Sequence, residues 1–283
     1  MNKHAYLIIA HNQFEILKLL LKKLDFKYHD FYILIDKKVD FPFSKFKNIT
    51  KYSNIYWINR INISWGDYSQ IQAEINLIKQ ALKKDYTFFH LLSGVDLPLK
   101  NAQDIYNFFE KNLDTEFIEI VQEPCSNFED RYKYYYLLQK YSKNKIIYFL
   151  NKCIVKLQII FKINRINSNY IYAKGANWFS ISHKLANYIV EQEKQIQKNF
   201  KFGYCVDEIF LQTIILNSNY QFNVINNNLR FTIWDENHIS SPKVLTLEDY
   251  HLVIKSKALF ARKFDDYKSK ELIKMLYKEG KYL

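Results

Sequence analysis

The feature that most constrains this chain is an early alternation between two hydrophobic periods. Residues 6–10 are a continuous apolar run, the mark of a strand buried on both faces. Directly after it, Phe14, Leu17, Leu20, Leu21 and Leu24 recur at helical spacing. Residues 31–35 repeat the buried-strand pattern and end at Asp36. Ile71, Ile75, Ile78 and Leu82 then line one face of a second helix, which Asp67 or Ser69 could cap. Residues 86–92 give another strand. Such alternation predicts an α/β fold with a mostly parallel central sheet flanked by helices, whose ligands bind beyond the carboxyl ends of the strands. Asp36 and Asp96 both lie at such ends. Gly94 and Pro98 force a turn around Asp96, which is then either a plain turn residue or a carboxylate presented to a cleft. Asp36 reads equally as a strand-terminating carboxylate or as an acceptor for nucleoside hydroxyls.

A chain of 283 residues, 48% hydrophobic and 25% charged, fits one globular domain spanning 1–283. Its aromatic richness suits sugar-binding clefts, which use aromatic faces, or has a plainer source, since Lys, Asn, Ile, Tyr and Phe all have AT-rich codons and all are abundant. The formal charge of +12 attracts nucleic acid, anionic lipid or a phosphorylated donor alike, and does not choose among them. No RRM, KH or helix-turn-helix signature supports nucleic acid. Cys125, Cys153 and Cys205 are widely spaced and odd in number, which suits a reducing compartment. The N-terminus enters a strand at once and does not read as a signal peptide; the expectation is a cytoplasmic protein.

Several chemistries lack their signatures. The five glycines form neither GxGxxG nor GxxxxGK[ST], and histidines and cysteines show no zinc spacing. No Asp-x-Asp doublet is present; Asp114-Thr115-Glu116 is the nearest approach and reads as a helix-to-strand loop. The expectation is no metal and no cofactor.

Residues 145–163 form a basic amphipathic helical insertion. Ile146, Phe149, Leu150, Cys153, Ile154, Leu157, Ile160 and Phe161 share one side, with Lys145, Asn151, Lys152, Lys156, Gln158 and Lys162 on the other. The helix either packs its stripe on the domain or lies on anionic lipid, peripheral to a membrane. Just upstream, residues 127–133 mix charge and aromatics in a loop, where Glu129 and Arg131 are either solvated or acceptor-binding.

The chemistry concentrates in the C-terminal half. Residues 177–181 read as a strand carrying Trp178, either core or a sugar-stacking face. Asp207 is placed to cap a helix whose Phe210, Leu211, Ile214 and Ile215 are buried, leaving Glu208 in the first turn beside a cleft. Residues 228–234 form a strand with Arg230 near its start, and Arg262-Lys263 follows. A carboxylate that can take a proton from an acceptor hydroxyl, served by fixed cations that offset a departing diphosphate, is what sugar transfer from a nucleotide donor needs without a metal.

The motifs Tyr6-Leu7-Ile8-Ile9-Ala10-His11, Ile35-Asp36-Lys37-Lys38, Ser64-Trp65-Gly66-Asp67-Tyr68-Ser69-Gln70, Gly94-Val95-Asp96-Leu97-Pro98-Leu99, Val206-Asp207-Glu208 and Leu259-Phe260-Ala261-Arg262-Lys263-Phe264-Asp265, in this order, resemble the core-2/I-branching enzyme family, which includes the peptide O-xylosyltransferases. The resemblance implies a GT-A-type fold and an inverting, metal-independent transfer from a UDP-sugar, with N-acetylglucosamine the expected sugar and xylose the alternative. It implies Glu208 as catalytic base and Lys263, with Arg230 and Arg262, as donor diphosphate ligands. Ala10, Asp36 and Asp96 fall in the donor site, and Glu129, Arg131 and Trp178 in the acceptor site. The implied acceptor is a surface polysaccharide or glycolipid, and a non-catalytic glycan-binding protein is the other reading.

Overall fold

The computed structural model describes residues 2–121, 128–234 and 241–278. Cys125 and Asn127, both singled out in the sequence, lie outside these. The strands are β1 (His4–Ala10), β2 (His29–Ile35), β3 (Ile55–Trp57), β4 (Phe88–Ser93), β5 (Leu97–Pro98), β6 (Thr115–Ile118), β7 (Ser180–Ser182), β8 (Asn223–Asn226), β9 (Arg230–Phe231) and β10 (Phe260–Ala261). The main sheet has the order β3-β2-β1-β4-β7-β6-β8. Within it, β7 runs antiparallel to both neighbours while the other pairs are parallel. The mostly parallel sheet expected from the alternation is therefore what the chain forms. A second sheet, β5-β10-β9, sets the segment after β10 beside the turn that leaves β4.

Helices α1 (Phe14–Lys23), α2 (Ser69–Ala81), α3 (Ala102–Glu110), α4 (Glu129–Lys133), α5 (Lys145–Ile160), α6 (His183–Glu191), α7 (Glu193–Phe200), α8 (Phe210–Leu216), α9 (Tyr250–Lys255) and α10 (Lys270–Lys278) complete the described chain. The sheet is buried on both faces because successive strand residues point to opposite sides. Ala5, Leu7, Leu34 and Leu91 join the core under α2 and α6. Tyr6, Ile8, Ile33 and Leu92 join the core under α1, α3 and α10. Burying each large apolar side chain contributes about 1.5–3 kcal/mol, so the continuous runs of β1, β2 and β4 anchor the fold.

Several local expectations change. The N-terminus of α2 is served by Asp67, whose carboxylate accepts from the Ser69 N–H at 2.9 Å. Thr115 and Glu116 belong to β6, and Glu116 is buried beneath the Ser182 N–H and hydroxyl, so only Asp114 is turn. Glu129 and Arg131 lie on a short helix rather than a loop. The expected strand around Arg230 pairs over two residues only. Most different is α5: its buried residues are Asn151 and Gln158, and its apolar stripe faces outward.

Candidate functional site

Four segments meet beyond the carboxyl ends of β1, β2 and β4. The first is the exit of β1. Ala10 is buried, its carbonyl accepts from the Asp36 N–H, and His11 follows. Gln13, in the left-handed region at φ 52°, donates to Asp265 at 2.6 Å and accepts from the Asp266 N–H at 2.8 Å. That link ties the exit of β1 to the chain just past Lys263. A second tie, Phe264 N–H to the Val95 carbonyl at 2.9 Å, holds the same segment against the turn after β4.

The second segment follows β2. Asp36 accepts from the Lys38 N–H at 3.0 Å, and Lys38 Nζ lies 3.4 Å from its carboxylate. The third is the loop before α2, where Gly66 has φ 68° and is packed so closely that a Cβ would meet Gln139, Cys205 and Tyr204 at about 3 Å. Only glycine enters that conformation without strain. Its carbonyl accepts from the Cys205 N–H.

The fourth carries Glu208. It sits in a 3-10 turn, Val206–Glu208, entered through Cys205 at φ 46°, a backbone state that costs a cysteine energy and must be held by its surroundings. Arg131 holds it. Its guanidinium donates to the carbonyls of Tyr204 and Cys205 and reaches Glu208 Oε2 at 2.9 Å. Lys174 Nζ stands 3.9 Å from the same oxygen, and the Gly175 N–H donates to the Glu208 carbonyl. The Glu208 side chain is 34% exposed, and among the described residues its second oxygen has no hydrogen-bond partner.

Asp207 does not cap α8, which begins two residues past Glu208 with no side-chain cap. Its carboxylate is buried and accepts from Gln70 at 2.8 Å and Asn177 at 3.3 Å. Burial, reinforced by the charge of Glu208, pushes Asp207 up to about 7. Burial and Glu208 likewise raise Glu119.

A chain of contacts leads from this carboxylate to the cations. Asn177, bonded to Asp207, precedes Trp178, and the Arg262 guanidinium lies 4.1 Å above the Trp178 ring. Arg262 Nε is 3.5 Å from Asp96. Lys263 donates to Ser241 at 3.1 Å. Burial and the neighbouring Arg262 lower the Lys263 ammonium, a sign of two cations held side by side. The His11 imidazole is lowered by burial and by the charges of Lys143, Lys38 and Lys263, with Asp36 opposing. The charges of these three lysines are therefore felt at the exit of β1. Lys143 also lines a hollow of about 290 Å³ with Trp65, Gln139, Ser142, Tyr148 and Tyr204, which leads back to Arg131 through the Tyr204 carbonyl. Arg131 and Lys174 thus flank the partly exposed Glu208 carboxylate, and the aromatic-walled hollow connects to it through Tyr204 and Arg131.

Apart from Ala10, buried at the exit of β1, the residues singled out by sequence fall in two groups. Glu208, Arg131, Trp178, Arg262, Lys263 and Asp36 are drawn together. Three are placed otherwise. Arg230 is buried: it donates to Ser180 at 2.9 Å, to the carbonyls of Leu91 at 3.0 Å and Phe179 at 2.5 Å, and to the Asn228 carbonyl, so its guanidinium is spent inside the fold. Asp96 is fully buried and accepts from the Ser93 N–H and hydroxyl; it steadies Arg262 rather than facing a ligand. Glu129 pairs with Lys133 on its own helix. Sequence reading passed over His11, Lys38, Trp65, Lys143, Lys174, Asn177 and Tyr204 as site residues. His11, Lys38 and Trp65 stood inside the quoted motifs; the others carry no local pattern. Among the described residues no three His, Cys, Asp or Glu side chains gather as a metal would need.

A family model for the Core-2/I-Branching enzyme matches residues 4–253. Xylosyltransferase 2 of Rattus norvegicus is 23% identical over 299 residues, which cover 96% of this chain and 33% of that protein. A xylosyltransferase of Ciona intestinalis is 24% identical with the same coverage. The chain spans about a third of the length of these curated relatives. Among solved structures, the core-mannan synthase A of Aspergillus fumigatus aligns at a TM-score of 0.38 and 12% identity, covering 76% of this chain and 69% of that one. By the extent of the family match, this chain belongs to the core-2/I-branching enzyme family of glycosyltransferases.

Proposed function

We propose that this chain moves a sugar from a UDP-sugar to a hydroxyl of a glycan in one inverting displacement, with no metal or other cofactor. Glu208 takes the proton of the acceptor hydroxyl as that oxygen bonds to the anomeric carbon. The bond from that carbon to UDP breaks on the opposite side, and the electron pair leaves with the diphosphate. Arg262 and Lys263, with Lys38 and Lys143 at the rim, offset the charge that develops there, as fixed cations in a partly dry site do. Arg131 and Lys174 orient Glu208, while the aromatic walls at Trp65 and Tyr204 suit an acceptor sugar. The observation that carries this reading is a partly exposed carboxylate, ion-paired to Arg131 and joined through Asp207, Asn177 and Trp178 to the adjacent cations Arg262 and Lys263.

N-acetylglucosamine is the sugar we propose. The names of the relatives favour xylose as the second reading. The acceptor we propose is a surface polysaccharide or glycolipid. Cys153 and Cys205 are free thiols, and burial holds Cys205 up at about 12, unreactive at neutral pH. Both fit a reducing compartment, and we place the reaction in the cytoplasm.

The test is a panel of UDP-sugars assayed for transfer and for slow hydrolysis with chelator present. Glu208→Gln should keep UDP binding by calorimetry and lose about a hundredfold to ten-thousandfold in turnover. Turnover within a few fold of wild type rejects Glu208 as base, and a strict manganese requirement rejects the metal-free mechanism. UDP binding without turnover of any sugar returns the chain to a glycan-binding role.

A further inference from the structure

Helix α5 is built inside out. The side turned to the domain carries Asn151 and Gln158, its two buried residues. Gln158 clasps the backbone of Tyr135, accepting from its N–H at 2.8 Å and donating to its carbonyl at 2.9 Å. Asn151 accepts from the Leu138 N–H at 3.3 Å. The opposite side is apolar and open: Ile146 is 71% exposed, Phe149 65%, Ile160 70% and Phe161 71%. A soluble helix ordinarily turns such a stripe to the core. An exposed apolar patch rimmed by charge marks a contact surface.

Charge identifies what covers it. Residues 131–190 contain eleven Lys and Arg and no Asp or Glu, so nearly the whole excess of +12 belongs to this stretch. On the helical wheel Lys145, Lys152 and Lys156 run along one flank of the apolar stripe, and Lys162 follows its end. An apolar face bordered by lysines, with aromatic rings at Tyr148, Phe149 and Phe161, matches the boundary of an anionic bilayer. Among the described residues no helix is long and apolar enough to cross a membrane, so the contact is of a helix lying in the interface. We infer that α5 docks this protein on an anionic lipid surface. Tyr148 on α5 and Lys143 just before it also line the aromatic hollow. On the transferase reading above, an acceptor carried by a lipid would meet the hollow where the helix meets the bilayer.

The experiment is sedimentation of the whole chain with vesicles of equal parts phosphatidylglycerol and phosphatidylcholine, against phosphatidylcholine alone. The wild type should sediment with the anionic vesicles and stay in solution with the neutral ones. Lys152→Glu, Lys156→Glu and Lys162→Glu together should weaken binding by roughly a hundredfold or more. Ile160→Asp with Phe161→Asp should weaken it separately, both variants melting like wild type because these side chains touch little of the domain. Equal binding by the variants, or none by the wild type, overturns the inference. So does a dimer by light scattering that Ile160→Asp with Phe161→Asp dissociates while vesicles go unbound, since the face would then cover a second copy. Hydrolysis of UDP-sugar in solution, unchanged in these variants, reports on the transferase reading independently of docking.

Discussion

Arg230 and Lys263 are both cations near the ends of strands, and their fates differ because of what surrounds the charge. Arg230 meets four acceptors within the fold, three of them carbonyls, a geometry that a planar fork of five donors can satisfy and a point charge cannot. Arg230→Lys should therefore lower stability, by roughly 1–3 kcal/mol for each buried polar group left unsatisfied, read from urea unfolding. Among the described residues the Lys263 ammonium makes one hydrogen bond, to a serine. Lys263→Ala should leave the unfolding midpoint nearly unchanged and weaken UDP binding about tenfold or more, as loss of one charge-assisted bond implies. The opposite pattern would restore Arg230 to the donor site. Residue type in the sequence identified both as cations near strand ends; which one was spent inside depended on carbonyls contributed by β4 and the segment before β7, far away in the chain.

At the scale of elements, the turn around Gly175 shows how the Glu208 carboxylate is held in place. A Cβ at Gly175 would lie 1.8 Å from the Glu119 carbonyl oxygen and 2.7 Å from Gln212 Nε2, and the Gly175 N–H supports Glu208 through its carbonyl. Gly175→Ala must displace the strand exit after β6 or the turn itself. It should cost about 1–3 kcal/mol by overpacking, with a lowered melting temperature and a fall in turnover from the shifted Glu208. A variant as stable and as active as wild type would show that the turn gives way freely. The strands β1, β2 and β4, with α1 and α2, were legible because their periodicity records burial on a regular element. The two-residue strand β10 was not, since pairing so short leaves no period to read, and the strand expected over residues 228–234 pairs only at Arg230–Phe231. For α5 the amphipathic pattern was plain, yet periodicity gives the angle between the faces and not which face is inward. Gln158 and Asn151 settled that by finding backbone partners at Tyr135 and Leu138.

For the whole molecule, two buried carboxyls link α2 to the turn before α8. Glu74 is 1% exposed and among the described residues its Oε2 has no partner; burial, then Asp207, raise it well above the ordinary value. Asp207 is held at about 7 by burial and by Glu208, against 3.8 for an ordinary aspartate. An acid whose value is raised on folding binds more protons folded than unfolded between those two values. Its contribution to stability is thus fully present below 3.8 and is lost as pH rises toward about 7. Asp207→Asn removes that loss, so the melting temperature of the variant should gain on wild type between pH 5 and pH 8. A difference that stays constant across that range would mean the carboxylate is ionised throughout. By itself the sequence determined the α/β alternation, the family motifs and the carboxylate at Glu208, because each is written in local spacing and residue type. Only the tertiary structure decided that Arg131 would clamp Glu208, that Arg230 and Asp96 would be buried, and that α5 would face outward, because hydrogen-bond satisfaction and burial depend on partners that the chain brings together from far apart.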